Sequence, residues 1–108
     1  MTGLNQPQFL YLVTSGWNTG KEHKIEIWFV EHNDRYYIMS ELHRHAHWVQ
    51  NIMHNPTVSF TVNDTTTLTG TARMVEKDKK PKLAAEVSKL MSTKYGWNEG
   101  LIVELVYH

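Results

Sequence analysis

The sequence has 108 residues, enough for one domain with a single hydrophobic core, and a chain of this size leaves so much surface unburied that we expect a homodimer. Its 11 basic and 11 acidic side chains give a formal net charge of +0, which argues against nucleic acid or an anionic membrane as a partner. The absence of cysteine excludes disulfides, thiolate metal sites and thiol nucleophiles.

The first segment, MTGLNQPQF, lacks the basic and apolar regions of a signal peptide, and no apolar run approaches membrane-spanning length. We therefore expect a cytoplasmic protein with one domain over residues 1–108. The apolar run at residues 9–14 predicts a buried strand. The loop at residues 15–21 contains two glycines and could present backbone N–H groups to an anion, although a plain turn is an equally good interpretation.

The stretch His23–Ser40 predicts a hairpin around which the other elements close. Residues 25–30, IEIWFV, alternate with the period of two that sends successive side chains to opposite faces of a sheet. A polar turn follows, in which Asn33 and Asp34 tolerate positive φ. Both faces of the first strand are apolar or aromatic apart from Glu26. One face should therefore be core, and the other should meet a partner surface or a ligand.

A short helix is predicted after the hairpin, over residues 46–53, because its apolar side chains recur at helical spacing. The Asn-Pro pair at residues 55–56 should end this helix. Its buried face should consist of Ala46, Val49, Ile52 and Met53.

Three histidines near this helix, His43, His45 and His47, suggest a metal site by their number. Their spacing converges on one ion only in an extended chain, whereas a turn into a helix should send His45 and His47 to different sides. We therefore expect no metal here. Arg44 and its neighbours would instead form a polar rim at the helix N-terminus, which suits phosphate.

The remaining elements complete a mainly β fold. Residues 58–62 and 66–75 predict a second hairpin around Asn63 and Asp64, and residues 101–107, LIVELVY, predict a last buried strand. A helix is predicted over residues 81–94, with a core stripe made of Leu83, Val87, Leu90 and Met91. Six short strands and two helices favour a small antiparallel barrel, because closing the sheet hides the strand edges.

Aromatic side chains are the most prominent candidates for a ligand site. The chain has 4 Trp, 5 Tyr and 3 Phe, and we expect all four tryptophans, Trp17, Trp28, Trp48 and Trp97, at or near loop ends. Aromatics at the mouth of a barrel are suited to stacking on a planar ring, but any one of them could equally serve in core packing. The two-carboxylate design of a glycosidase is not excluded by spacing, because Glu26 and Glu41 could face one cleft, but nothing in the sequence selects it.

Several short segments carry a resemblance to a known family. They are YLVTSG at 11–16, TGK at 19–21, IEIWFVEH at 25–32, HWVQNI at 47–52, NP at 55–56, GTAR at 70–73, KYGW at 94–97 and GLIVE at 100–104. In this order and spacing the chain resembles the deazaflavin-dependent nitroreductase and quinone reductase family, which belongs to the pyridoxamine 5'-phosphate oxidase-like group of split β-barrel flavin-binding proteins.

The resemblance implies a six-stranded antiparallel, Greek-key-type split β-barrel that forms a homodimer. Each groove between the two barrels would hold a flavin or deazaflavin, and hydride would pass to a small electrophilic acceptor such as a nitroarene, a quinone or an enone. The cofactor-binding residues that the resemblance implies are His23, Lys24, Ile25, Glu26, Ile27, Ser40, Glu41, Arg44 and Trp48, and the candidates for the substrate wall are Tyr95 and Trp97.

Two cofactors are open at this point, coenzyme F-420 (8-hydroxy-5-deazaflavin) and flavin mononucleotide, FMN. Many FMN binders of the group have a lysine where this chain has Trp48, which favours the deazaflavin. The phosphate role of a basic residue in the family would fall to His23 with Lys24.

Other functional classes also remain open. The same fold serves non-catalytic flavin carriers or sensors and FMN-dependent enzymes like pyridoxamine-phosphate oxidase, and a purely structural dimer is a further alternative. An oligonucleotide-binding barrel is disfavoured, because it needs cations interleaved with exposed aromatics. In this chain the cations cluster at residues 77–82 instead.

Overall fold

The computed structural model describes residues 9–16, 20–62 and 66–108. Trp17, the centre of the glycine loop and the expected turn at Asn63 and Asp64 lie outside the described residues. Within them the strands are β1 (Phe9–Ser15), β2 (Glu22–His32), β3 (Arg35–Ser40), β4 (Thr57–Val62), β5 (Leu68–Val75) and β6 (Leu101–Tyr107), and the α-helices are α1 (His47–His54) and α2 (Pro81–Tyr95).

The strands form a closed antiparallel barrel in the order β1-β2-β3-β6-β5-β4, and β4 pairs back with β1 to close it. The last strand, β6, lies between β3 and β5, so the end of the chain joins the first hairpin to the second. The predicted mainly β fold, an antiparallel six-stranded barrel with two helices, is confirmed.

The backbone conformation of the turn confirms the central hairpin. Asn33 and Asp34 have φ values of 51° and 63°, the left-handed conformation that these two residue types tolerate better than most. Gly96 ends α2 with a φ of 75°, and its N–H donates to the carbonyl of Ser92.

Two hydrophobic clusters stabilise the fold. The first fills the barrel and includes Ile52, so that α1 closes one end of it; its buried members are Leu10, Leu12, Phe29, Ile38, Ile52, Val58, Phe60, Ala72, Val103 and Leu105. The second joins α2 to the outer face of the sheet, and its buried members are Val30, Tyr37, Met39, Val75, Ala84, Val87, Met91 and Ile102. Successive residues of β6 therefore alternate between the two clusters.

Two helical side chains expected in the core are exposed instead. In the second turn of α1 the buried positions are Asn51 and Ile52, and Met53 is 49% exposed. Leu90 of α2 is 36% exposed, because the buried stripe of that helix is narrow and contains Ala84, Val87 and Met91. No helix in the described ranges is both long enough and apolar enough to cross a membrane.

Candidate functional site

The register of β2 opens a gap in the barrel wall. β2 pairs with β1 from Glu22 to Trp28, but it pairs with β3 only from Phe29 to His32. In the described part of the chain, the edge of residues 22–28 that faces away from β1 therefore has no neighbouring strand. This edge is about 20 Å long, and its backbone donors and acceptors are available to a ligand.

A groove with a volume of about 1360 Å³ lies along this part of β2. Its walls come from β2 and the loop before it, from the segment between β3 and α1, from α1 itself, and from Met91 and Trp97. Of the residues singled out in the sequence, those that line it are His23, Lys24, Ile25, Glu26, Ile27, Ser40, Glu41, Trp48 and Trp97.

One end of the groove is cationic. Lys21 and Lys24 line this end together with His23, and the further lining residues His45 and His47 come from the 3₁₀ turn and from α1. α1 begins only at His47, His45 belongs to the 3₁₀ turn before it, and both residues line the groove, so the divergence expected for these two side chains stays a prediction. No cluster of three or more side chains of metal-ligand type occurs among the described residues.

Carboxylates balance these cations within the groove as a whole. Glu26 and Glu41 line it together with Lys21 and Lys24, so the excess of positive charge is confined to the end near residues 21–24. An anionic group would therefore be attracted to that end of the groove rather than to its middle.

Ser40 supports the groove wall through its side chain. It is 1% exposed, and its Oγ donates a 2.8 Å hydrogen bond to the carbonyl of His43. His43 has a φ of 55°, an uncommon conformation for a residue other than glycine. The hydroxyl thus stabilises a strained turn, a role that the sequence did not indicate.

The sequence also did not predict the buried polar pair formed by Asn51 and Thr14. The amide nitrogen of Asn51 donates a 3.0 Å hydrogen bond to Oγ1 of Thr14, and Asn51 lines the groove although it is only 6% exposed. This bond fixes α1 against β1 directly below the groove. The sequence contains no clear signal for it, because Asn51 follows the polar Gln50 and precedes Ile52 in the predicted helix.

Aromatic rings form the other end of the groove. Trp28 lines it and stacks on Tyr95, with ring centroids 4.4 Å apart and an interplanar angle of 4°. The expectation that Trp28 lies at a loop end is wrong, because β2 runs on to His32. Trp97 lines the groove as well and packs against the α2 cluster.

Tyr95 is attached to the backbone of β2. Its hydroxyl donates to the carbonyl of Phe29 at 2.9 Å and accepts from the N–H of the same residue at 3.1 Å. Nζ of Lys94 donates to the same carbonyl at 2.9 Å. Burial raises the pKa of the Tyr95 hydroxyl and lowers the pKa of the Lys94 ammonium.

Arg44 does not line the groove. Its guanidinium donates to Sδ of Met74 at 3.0 Å and to Oε1 of Glu76 at 3.4 Å, at the end of β5. The side chain is 48% exposed. The rim role predicted for Arg44 therefore has no support in these contacts.

The arrangement along β2 suits one shape of ligand. A cationic end, an apolar stretch at Ile25 and Ile27 and an aromatic end follow one another over about 20 Å, beside a strand edge that pairs with no further strand among the described residues. An elongated molecule with an anionic tail and a planar ring carrying polar edges fits these features.

Solved structures share this fold. HutZ, the heme storage protein from Vibrio cholerae, matches with a TM-score of 0.78 and 19% identity over 99% of this chain and 86% of that one. A putative pyridoxamine 5'-phosphate oxidase from Listeria innocua gives 0.73 and 15% over 99% and 89%. An F420-H2-dependent reductase gives 0.62 and 27% over 92% and 94%.

The sequence itself gives a more specific result than the fold. None of the curated proteins matches it significantly. The profile of the F420H2-dependent quinone reductases, however, matches residues 2–99, which is nearly the whole chain. The resemblance found in the short segments is confirmed, and the chain belongs to the F420H2-dependent quinone reductase family, a family of deazaflavin-dependent reductases.

Proposed function

We propose that this protein binds coenzyme F-420 in the groove along β2 and reduces a small electrophilic acceptor, such as a quinone, a nitroarene or an enone. The observation that carries the proposal is the gradient along residues 21–28, from cations through an apolar stretch to an aromatic ring, beside a strand edge without a partner strand among the described residues. The absence of cysteine is compatible with action in a reducing cytoplasm.

The residues have distinct tasks in this proposal. Lys21, His23 and Lys24 hold the anionic tail of the coenzyme by charge-assisted hydrogen bonds. The ring lies against Ile25 and Ile27, and the backbone groups of the β2 edge bond its polar rim. The remaining cofactor contacts come from Glu26, Glu41 and Trp48, while Ser40 acts by fixing the turn that forms the wall.

The coenzyme, when bound, supplies the hydride, so the protein needs few acid or base groups of its own. Its side chains orient the ring, position the acceptor and exclude water from the groove. Backbone N–H groups of the β2 edge provide fixed donors near the reacting centre, where negative charge develops during reduction.

A homodimer is part of the proposal. The groove is open on one side, and its rim carries Leu42, which is 64% exposed. Apolar side chains around an open groove are typical of a surface that a partner covers. Sedimentation velocity tests this part independently of the coenzyme.

The deciding experiment is a pair of titrations, with coenzyme F-420 and with FMN, followed by quenching of tryptophan fluorescence. We expect the deazaflavin to bind at least tenfold more tightly, which corresponds to about 1.4 kcal/mol. In the Trp48→Lys variant the preference should shift towards FMN, because the new ammonium group adds a partner for phosphate. Hemin serves as a third ligand, since one protein of this fold stores heme.

Each outcome leads to a different conclusion. If FMN alone binds, the argument from Trp48 is wrong, and the protein is an FMN-dependent enzyme or a flavin carrier. If the coenzyme binds but no acceptor is reduced, we would conclude that the protein is a non-catalytic carrier or sensor. If none of the ligands binds, a structural role replaces the reductase proposal.

A further inference from the structure

We propose that Trp28 is the surface on which the ring of the acceptor stacks, and that Tyr95 is a positioning residue that holds Trp28 in place. The inference rests on the proposed function, and it moves the substrate wall from the pair Tyr95 and Trp97 to the indole of Trp28. It also implies a preference for acceptors with two fused rings over acceptors with one.

The first support is the fixation of Tyr95. The two hydrogen bonds between its hydroxyl and the backbone of Phe29 tie the end of α2 to β2. The pairing of β1 with β2 begins with Phe9 opposite Trp28, so Phe29 lies just beyond the described part of β1. Tyr95 thus bonds backbone groups at the place where that pairing begins, and its ring has little freedom to move.

The second support is the stack itself. With ring centroids 4.4 Å apart and planes within 4° of parallel, the ring of Tyr95 covers one face of the indole. The side chain of Trp28 is nevertheless 43% exposed and lines the groove. A large aromatic that is supported on one side and open on the other is a preorganised stacking surface, because little conformational freedom is lost when a ring binds.

The other tryptophans of the groove are placed differently. Trp48 packs against the cluster inside the barrel, and Trp97 packs against the α2 cluster, and both are half-buried. Their rings are therefore engaged in the fold. Trp28 belongs to neither cluster.

The third support is the position of Trp28 along β2. Lys24, Glu26 and Trp28 alternate with the isoleucines, so the three side chains point to the same face of the strand. Trp28 lies four positions after Lys24 in the strand, a distance of about 13 Å. A ligand that lies along the open edge of β2, with its anionic tail at Lys24 and its ring at the backbone of residues 25–27, leaves Trp28 for the next ring, that of the acceptor.

The test uses the protein loaded with oxidised coenzyme, in which no hydride is available and binding is measured without turnover. Isothermal titration calorimetry gives the Kd of 1,4-naphthoquinone and of 1,4-benzoquinone. The chain has no cysteine, so the quinones meet no thiol to alkylate. For the native protein we expect naphthoquinone to bind about three- to tenfold more tightly, because its second ring adds stacking area.

The variants separate stacking from folding. Trp28→Ala should remove the preference for naphthoquinone, whereas Trp28→Phe should keep part of the preference. The Kd of the coenzyme is measured for each variant as well, so that both quinone titrations start from fully loaded protein. Tyr95→Phe keeps the ring but loses the bonds to Phe29, so the preference should fall without disappearing. Tyr107→Ala removes another exposed aromatic, 44% exposed and outside the groove, and should change neither Kd.

Three results would overturn the inference. If Trp28→Ala weakens the binding of both quinones equally, or of neither, the indole does not stack on the acceptor. Tight binding of the coenzyme by the native protein would still support the proposed function. If Trp28→Ala converts dimers into monomers in sedimentation velocity, the indole belongs to a subunit interface. If the native protein fails to bind the coenzyme, both proposals are wrong.

Discussion

The hydroxyl of Tyr37 donates a 2.7 Å hydrogen bond to the carboxylate of Glu104, which is only 2% exposed on the outer face of the barrel. Strand register explains the contact, because Glu104 lies opposite Tyr37 on β3 and opposite Arg73 on β5. Arg73 and Arg35 complete the cluster at 2.5 Å and 3.2 Å. One buried carboxylate thus connects three neighbouring strands.

We predict that Glu104→Gln lowers the free energy of unfolding by about 2 kcal/mol, because the amide cannot satisfy both guanidinium groups and the Tyr37 hydroxyl. Urea denaturation measures the change. The control is Glu76→Gln, which removes a carboxylate whose ion pairs with Arg44 and Lys79 are solvent-exposed. If both variants shift the urea midpoint equally, burial of the Glu104 cluster adds nothing to the free energy of unfolding.

The same cluster predicts a loss of stability in acid. Burial raises the pKa of the Glu104 carboxyl, but hydrogen bonds from Tyr37, Arg73 and Arg35 outweigh burial and leave the pKa below its ordinary value. A pKa that is lower in the folded state than in the unfolded state stabilises the fold above the ordinary carboxyl range. That stabilisation is lost as the pH falls through this range, about 4–5, and below it.

Unfolding free energies measured from pH 7 down to pH 3 test this prediction, and Glu104→Gln should show a flatter dependence than the native protein. Tyr37 remains a hydrogen-bond donor throughout, because burial and its bond to Glu104 raise the pKa of its hydroxyl to about 12. Identical slopes for the native protein and the variant would assign the acid sensitivity to other carboxyls.

Charge reversal at Lys24 tests the cationic end of the groove. We predict that Lys24→Glu weakens binding of coenzyme F-420 by about 1–3 kcal/mol, since one charge-assisted contact with the tail becomes repulsive. The matched control is Lys89→Glu, which makes the same change in net charge at an exposed position of α2 outside the groove. The fluorescence titration is repeated at low and high salt.

The effect of Lys24→Glu should shrink at high salt, because this end of the groove is exposed to solvent. Equal losses of affinity in the Lys24 and Lys89 variants would mean that the net charge of the protein affects coenzyme binding, and not a direct contact of Lys24 with the coenzyme. Unchanged affinity in Lys24→Glu would remove this residue from the site.

The sequence predicted what depends on neighbours along the chain. The alternation at residues 25–30 placed β2, and the tolerance of Asn33 and Asp34 for positive φ placed the turn. The groove residues of β2 came instead from the family resemblance. Contacts between distant elements were beyond this reasoning. The stack of Trp28 on Tyr95 depends on where the end of α2 lies against β2, which no periodicity encodes.

Errors at single positions have the same origin. Met53 has a helical spacing from Val49 that predicts burial, but the fold turns Asn51 inward to reach Thr14 and leaves Met53 exposed. Glu104 is the clearest omission, because its partners come from two other strands. The one signal was a carboxylate in the middle of the apolar run LIVELVY.

Gly100 sets the space in which Trp97 forms part of the groove wall. A Cβ atom at this position would lie 2.8 Å from the carbonyl oxygen of Ser40 and 2.8 Å from Cη2 of Trp97. The oxygen belongs to the backbone of β3 and cannot move cheaply. We therefore predict that Gly100→Ala lowers the free energy of unfolding by about 1–3 kcal/mol, displaces the indole and weakens coenzyme binding.

Tryptophan emission measures the displacement, and the substitution is made in the native chain and in a Trp97→Phe background so that the signal of Trp97 is isolated. Gly20→Ala is the control, because a Cβ there meets nothing within 4 Å and the positive φ of 72° costs only about 1–2 kcal/mol of backbone strain. The emission of Trp97 should change in Gly100→Ala alone. An equal change in the Trp97→Phe background would mean that Gly100 acts on the fold as a whole and not on the groove wall.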